Sequence, residues 1–310
     1  MIKVALLGST GHVGKNLTYY FGKEKNFELL LFSRNEKKLE KTISQFELKN
    51  NFTIRKYDEF DNLTYDVVIN CVGLSDPAKI ETSKGEILET AKTFDTLTLE
   101  YLKKIPKTKL INFSSGIVYG GQFSSAVKNT NLIDENFNDG EIKSEYVLAK
   151  VRSEIKHRML KHLNIIDLRL FSFFSRFMDL SSKFLISEVI SSIKQNKKLI
   201  TNEFDLYRDY IHPKDLFLLL KKCINNNPIN DVFDLYSKKP IGKFDLLDSL
   251  RDNFGLQYQV VPNSGFSSPT GFKENYYSKS RKAKLLGYDP QYSSIETIVN
   301  EMKYFNSEMN

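Results

Sequence analysis

Tyr146 and Lys150, in the run Tyr146-Val147-Leu148-Ala149-Lys150, are four residues apart and share one face of any helix that carries them. On such a face the ammonium can depress the phenol's pKa until tyrosinate exists at working pH, and can also bind a ribose. Upstream, the apolar run 109–113 ends in Ser114-Ser115-Gly116-Ile117-Val118-Tyr119-Gly120. A serine at the end of a strand offers a hydroxyl to a substrate oxygen. Ser115, Tyr146 and Lys150 thus form a catalytic set for proton transfer at a carbonyl or carbinol, with Tyr146 passing the proton.

A hydride partner is indicated at the other end of the chain. Ile2–Leu7 reads as a strand and runs into Gly8-Ser9-Thr10-Gly11-His12-Val13-Gly14, which opens a helix. One glycine makes the turn, one admits backbone amides to a pyrophosphate, and one packs helix on strand. The phosphate then sits at the helix N-terminus, where amides and dipole favour an anion. Residues 8–14 are therefore candidate dinucleotide contacts, with His12 expected at the helix start on the surface rather than in catalysis. An NAD enzyme usually places an acid after the second strand; here Ser33-Arg34-Asn35 stands there. A guanidinium and a hydroxyl suit a 2′-phosphate, which favours NADP(H) over NAD(H). Asp58 is a candidate for the adenine amine, and Val72-Gly73 for passing beneath the adenosine ribose, with Lys150 on the nicotinamide ribose.

These residues need a frame of strands and helices in alternation. Strands are expected over 2–7, 27–32, 52–57, 67–72, 109–113 and 165–171, and helices over 13–25, 36–46, 87–104 and 145–162 by their 3.6-residue period. That is an α/β fold, a doubly wound parallel sheet (Rossmann). After Phe171 the parallel rhythm stops: a helix over 184–196, another helix, a strand over 232–236, then short helices (244–254, 280–286, 294–305) and a strand over 257–261. The expected division is a dinucleotide-binding domain of 1–171 plus about 205–237. A smaller C-terminal substrate-binding domain takes about 172–204 plus 238–310. Residues 225–228 and 263–271 read as loops.

Composition narrows the classes. With 41% hydrophobic and 27% charged residues the chain reads as a soluble globular protein, and no segment approaches the roughly 20 apolar residues of a membrane helix. The first apolar run is too short for a secretory signal. The two cysteines, Cys71 and Cys223, have no metal-ligand spacing, which suits buried inert thiols, no metal and a reducing cytoplasm. The net charge of +7 is spread among acids, as in Glu36-Lys37-Lys38-Leu39-Glu40-Lys41, so it favours a small anionic ligand over nucleic acid.

Taken together, the glycine loop, Ser114 to Gly120, Tyr146 to Lys150, Arg208-Asp209-Tyr210-Ile211-His212-Pro213-Lys214-Asp215, and Ser278-Lys279 with Leu286-Gly287-Tyr288-Asp289-Pro290 resemble the extended short-chain dehydrogenase/reductase superfamily, in its sugar-nucleotide epimerase/dehydratase branch. The resemblance covers nearly the whole chain. It implies a nucleoside-diphosphate sugar as substrate, Ser115 and Tyr146 at the reacting oxygen, and Arg208 on the diphosphate. It also implies a homodimer joined through helices 87–104 and 145–162.

Departures from the branch refine the expectation. Dehydratases carry an Asp-Glu pair after the catalytic hydroxyl residue, and this chain has Gly116-Ile117. Epimerases show an acid after the second strand, and this chain has Ser33-Arg34. An NADPH-dependent reductase of a 4-keto-6-deoxy sugar nucleotide fits better, with an NAD-dependent 4-epimerase as the alternative. The branch's second diphosphate-binding arginine is replaced by Ser268-Pro269-Thr270-Gly271, leaving Lys273, Arg281 or Arg176 to substitute. Non-catalytic dinucleotide-sensing or RNA-binding relatives often lose the tyrosine or the lysine; retention of all three catalytic residues argues against that class.

Overall fold

A strand covered on both faces must be apolar at successive positions, and IKVALL, FELLLF and VVIN meet that condition. The computed structural model describes residues 1–49, 51–74, 80, 82–83, 85–120, 123–131, 144–262 and 273–306. The loop expected over 263–271, with the Ser268-Pro269-Thr270-Gly271 replacement, lies outside them. In chain order the first half runs β1 (Ile2–Leu7), α1 (His12–Phe21), β2 (Phe27–Phe32), α2 (Glu36–Ile43), β3 (Phe52–Arg55), β4 (Val67–Asn70), α3 (Glu86–Lys104), β5 (Lys109–Ser115), α4 (Glu145–Met159) and β6 (Ile165–Leu170). Next come β7 (Ser172–Phe173), α5 (Leu185–Lys194), β8 (Leu199–Thr201), β9 (Tyr207–Arg208), β10 (Tyr210–Ile211), α6 (Pro213–Asn225) and β11 (Asn230–Asp234). The chain closes with β12 (Ile241–Gly242), α7 (Lys243–Phe254), β13 (Tyr258–Val260), β14 (Asn275–Tyr276) and α8 (Ser294–Asn306).

Seven parallel strands form the central sheet in the order β3-β2-β1-β4-β5-β6-β11. Its two faces fill two cores. Val4, Leu6, Leu29, Leu31, Ile69 and Ile111 join Leu17, Phe21 and Leu216 on one side. Ala5, Leu7, Leu30, Phe32, Val68 and Leu110 join Leu99 and Leu102 on the other. This alternation is the doubly wound arrangement expected. A further core gathers Phe174, Ile186, Val189, Leu199, Leu246, Leu250, Ile298 and Met302, residues that follow β6.

The expectation that parallel pairing ends after residue 171 is corrected. β11 pairs parallel with β6 as an edge strand, and α6 is its crossover. A buried lysine fixes that crossover: Lys109 Nζ on β5 donates to the carbonyls of Cys223 (2.5 Å) and Asn226 (2.7 Å) at the end of α6. Other boundaries shift for local reasons. α1 stops at Phe21 with Gly22 as its C-cap, where a Cβ would lie 2.4 Å from the Leu48 side chain, and the helix expected over 280–286 is a short 3-10 turn, Lys282–Leu286. Among the described residues no helix is long and apolar enough to cross a membrane, and no cluster of candidate metal ligands occurs.

Two buried polar networks tie the helices to the sheet. Arg169, wholly buried on β6, donates to Glu154 of α4 through Nε (2.9 Å) and Nη2, and to Tyr119 Oη through Nη1 (2.7 Å). Tyr119 Oη donates to Asp234 (2.8 Å), which also accepts from Ser278 Oγ (2.7 Å). The second network crosses the sheet. Asn70 Nδ2 donates to Asn112 Oδ1 (3.1 Å), Asn112 Nδ2 to Asp167 Oδ1 (2.6 Å), and Asp167 also meets His157 Nδ1 (3.0 Å) and Arg158 Nη2 (2.8 Å) on α4. These cations hold the Asp167 carboxyl down at about 2 despite full burial.

Removing Arg169 would strand the Glu154 and Asp234 carboxylates without their counter-ion. Arg169→Leu is expected to destabilise the fold by about 3–5 kcal/mol. Urea unfolding followed by circular dichroism measures this, and a loss below about 1 kcal/mol would show that the network is not a structural tie.

Candidate active site

Steric limits in the glycine loop account for its residue types. Gly8 has φ +78°, and a Cβ there would press within 3.1 Å of the Cys71 backbone; a Cβ on Gly14 would fall 2.2 Å from Gly8 O. Gly11 caps α1 without a side chain accepting from the first-turn amides. Those amides are therefore available to an anion, and the loop fits a dinucleotide pyrophosphate. The Ser9 side chain is wholly buried, and its Oγ donates to Leu6 O (2.8 Å), which leaves its backbone to face the loop. His12 stands at the helix start as expected, half-buried rather than fully on the surface. Its Nε2 meets Ser175 Oγ at 2.8 Å, its ring packs on Phe173, and burial with the Lys15 charge pulls its pKa to about 3, so it is neutral.

At the end of β2 the Ser33 and Arg34 side chains part company. Ser33 Oγ is buried in the turn, accepting from Asn35 N (3.1 Å) and donating to Asn35 O (3.2 Å), so the expected serine contact to a 2′-phosphate is corrected. Arg34 is exposed, and its charge acts on the Tyr57 phenol. Tyr57 was not singled out in the sequence. Its Oη accepts from Gly8 N (3.0 Å) and faces Phe32 O (3.3 Å), tying the glycine loop to β2. Asp58 is exposed on the turn after β3.

A cavity of about 510 Å³ runs from this loop across the ends of the strands. Gly11, His12, Val13, Val72, Gly73, Ser115, Tyr146, Lys150 and Arg208 all line it, so residues up to about 200 positions apart in sequence meet there. Thr10, Gly14, Ser33, Arg34 and Asp58 are outside its lining. Ser115 ends β5, while Tyr146 and Lys150 share a face of α4, as the spacing requires. Lys150 Nζ donates to Phe113 O (2.7 Å) and would stand 3.5 Å from a Cβ on Gly73, which puts it beside the Val72–Gly73 edge.

The protonation of the pair differs from the sequence expectation. Burial pushes the Tyr146 phenol above its usual range, and the counteracting influence is a hydrogen bond with Ser115. The Lys150 ammonium is aimed at the Phe113 carbonyl, and burial lowers its own pKa. The phenol is thus held neutral, a proton donor rather than a resting tyrosinate.

Two cations stand on the far side of the serine. Arg208 Nη1 donates to the carbonyls of Tyr207 (2.8 Å) and Lys273 (2.8 Å), which fixes the guanidinium against β14. Lys273 lines the same cavity, and burial with the Arg208 charge lowers its pKa to about 8. The other two expected substitutes for the missing arginine do not line the cavity. Arg176 pairs with Glu301 (2.7 Å), and Arg281 donates to the Ser278 and Ser280 carbonyls (3.2 and 3.0 Å). The remainder of the Arg208 element is scaffold: Asp209 accepts from Ser237 N (3.0 Å), and His212 caps α6 through Lys214 N (3.1 Å). Tyr276 on β14 was also missed by sequence reasoning; its Oη lies 3.0 Å from Ser115 Oγ.

The sequence profile described as "NAD dependent epimerase/dehydratase family" matches residues 4–235. A GDP-6-deoxy-D-talose 4-dehydrogenase of Aggregatibacter actinomycetemcomitans is 22% identical over 310 residues, covering 97% of each chain. Among solved structures, a UDP-glucuronic acid 4-epimerase from Bacillus cereus in complex with UDP-glucuronic acid and NAD superposes with TM-score 0.80 at 19% identity, covering 99% of this chain and 100% of that one. A UDP-glucose-4-epimerase from Stenotrophomonas maltophila with bound NAD gives TM-score 0.81 at 13% identity, covering 100% and 99%. At these identities the superpositions establish the fold.

Gly116, next to Ser115, has no room for a side chain: its Cβ would meet the Phe171 ring at 2.3 Å. Gly116→Ala is expected to cost about 1–3 kcal/mol of stability, and Phe171→Leu in the same chain to recover most of it. Thermal unfolding of the single and double variants reads the coupling, and additive losses would exclude this contact as the cause.

Proposed function

The chain belongs to the NAD dependent epimerase/dehydratase family, and on that basis we propose that it reduces the 4-keto group of a nucleoside-diphosphate 6-deoxy sugar with NADPH as the hydride donor. The carrying observation is the end of β2, where an exposed guanidinium, Arg34, stands in place of an acid. The neutral Tyr146 phenol supports the same direction, since reduction needs a proton donor at the start. The name of the Aggregatibacter relative, which puts net redox chemistry at C4 of a GDP-linked 6-deoxy sugar, supports the substrate class. The lack of room at Gly116 speaks against a dehydratase's extra acid at that position.

When bound, the nicotinamide supplies the hydride. Ser115 and Tyr146 line the cavity where the sugar's C4 oxygen would lie, and both hydroxyls stabilise the charge that develops on it. Tyr146 gives up its proton to that oxygen. Lys150, buried near the phenol on the same helix face, offsets the tyrosinate that remains. Arg208 and Lys273 hold the diphosphate, and the separate core around Phe174 and Leu246 forms the substrate half. A second reading, an NAD-dependent 4-epimerase, draws on the NAD named with the solved relatives.

The test is cofactor stoichiometry with a GDP-linked 4-keto-6-deoxyhexose. NADPH loss equal to product is expected; interconversion of 4-epimers without net cofactor change would replace the reductase reading with the epimerase one. Tyr146→Phe is expected to lower kcat about 10²–10⁴-fold. Arg34→Ala is expected to weaken NADPH binding about 10–100-fold while leaving NADH within about threefold, as measured by calorimetry.

A pH signature is expected from Lys273. Its depressed value of about 8 belongs to the unliganded protein, and a bound diphosphate draws it back up. The ammonium that attracts the anion is present below that pH and lost above it. Affinity for GDP is therefore expected to fall roughly tenfold between pH 7 and 9. Lys273→Met flattens this slope, and an unchanged slope in that variant would remove Lys273 from the anion site.

A further inference from the structure

Ser115 Oγ carries one proton and two lone pairs, and three neighbours compete for them. Ile117 N–H donates to it over 3.3 Å as the chain turns out of β5. Tyr276 Oη lies 3.0 Å away, its ring fixed against Phe123 and Phe171 at centroid distances of 4.9 and 5.2 Å. Tyr146, which lines the same cavity wall, is the third neighbour. Between a phenol and an aliphatic alcohol the phenol is the better donor and the poorer acceptor, because its lone pair is conjugated with the ring. The Tyr276 proton is therefore directed at Ser115.

With Ile117 and Tyr276 both donating, the two lone pairs of Ser115 are filled, and its own proton is all it has left to offer. We propose that Tyr276 is a positioning residue that fixes the polarity of Ser115, making the serine hydroxyl a donor only and the site selective for a carbonyl or nascent alkoxide over an alcohol. Ser115 and Tyr146 then present two donors to one oxygen, the arrangement that stabilises an oxyanion. A substrate hydroxyl placed there would find Ser115 closed as an acceptor and only the poorer phenol oxygen of Tyr146 left for its proton, and a poorly met buried donor weakens binding. The geometry also puts Tyr276 on the ligand's path: its strand partner in register is Arg208, whose guanidinium carbon lies 5.9 Å from the Tyr276 ring centroid, and Lys273 Nζ lies 5.5 Å from it.

This inference rests on the reductase reading and deepens it. Tyr276→Phe keeps the ring and removes the hydroxyl. Calorimetry with a GDP-linked 4-keto-6-deoxyhexose and its 4-hydroxy counterpart, without cofactor, gives a keto-over-hydroxy preference that is expected to fall about tenfold in Y276F. In turnover, Y276F is expected to lower kcat about tenfold with KM within about twofold, and to add nothing in a Ser115→Ala background. An unchanged ligand preference, or an equal loss in the S115A background, overturns the proposal. Failure of the reductase reading is seen separately, as wild-type epimer exchange without NADPH loss, and the calorimetric ratio still decides on Tyr276. Should Y276F fail to fold, a fluorinated tyrosine at 276 preserves the shape and strengthens the donor; the preference is then expected to rise, and no change overturns the proposal.

Discussion

The rotation of α4 about its own axis depends on one buried ion pair, Glu154 with Arg169. Glu154 lies on the same helical stripe as Tyr146 and Lys150, eight residues after the first and four after the second, so the clamp on its carboxylate fixes which way those two side chains point. Ser114 Oγ donates to the same carboxylate (2.5 Å), and its neighbour in the chain is Ser115. One carboxylate thus registers helix against strand at the point where phenol and serine must meet. Its burial makes the pair unforgiving, since a lone charge there has no solvent to fall back on.

Much of the frame was legible because burial writes itself into composition. The six long apolar runs became β1 to β6, and the turn glycines stand where positive φ or close backbone approach demands them. What was not legible falls into two kinds. Strands of two or three residues, such as β9, β10 and β14, are too short to show a period, and β11, legible as a strand, did not show its parallel pairing with β6, which depends on the path of α6. The second kind is direction. Spacing puts Tyr146 and Lys150 on one face, yet Lys150 Nζ is turned to the Phe113 carbonyl. Ser33 stands in the right place with its hydroxyl turned inward, satisfying its own turn.

The residues that sequence reasoning missed share one property. Tyr57 and Tyr276 reach their partners, Gly8 and Ser115, across 49 and 161 positions, and neither carries a local signature beyond being aromatic near the end of a strand. Phenols serve here as long struts with a polar tip, holding a backbone amide in one case and a side-chain hydroxyl in the other. The Arg208 element shows the converse: the residues around a recognisable motif arginine cap a helix and anchor a loop, so its legibility owes as much to scaffolding as to ligand contact.

The polar row Asn70, Asn112 and Asp167 lies in register across three neighbouring strands, each side chain bonded to the next, and Asn70 Oδ1 also accepts from Val72 N at the cavity's edge. Such a row makes three strands answer to one another. An apolar replacement at Asn112 alone would take the acceptor from Asn70 Nδ2 and one donor of several from Asp167, so a change at one strand is felt on both of its neighbours.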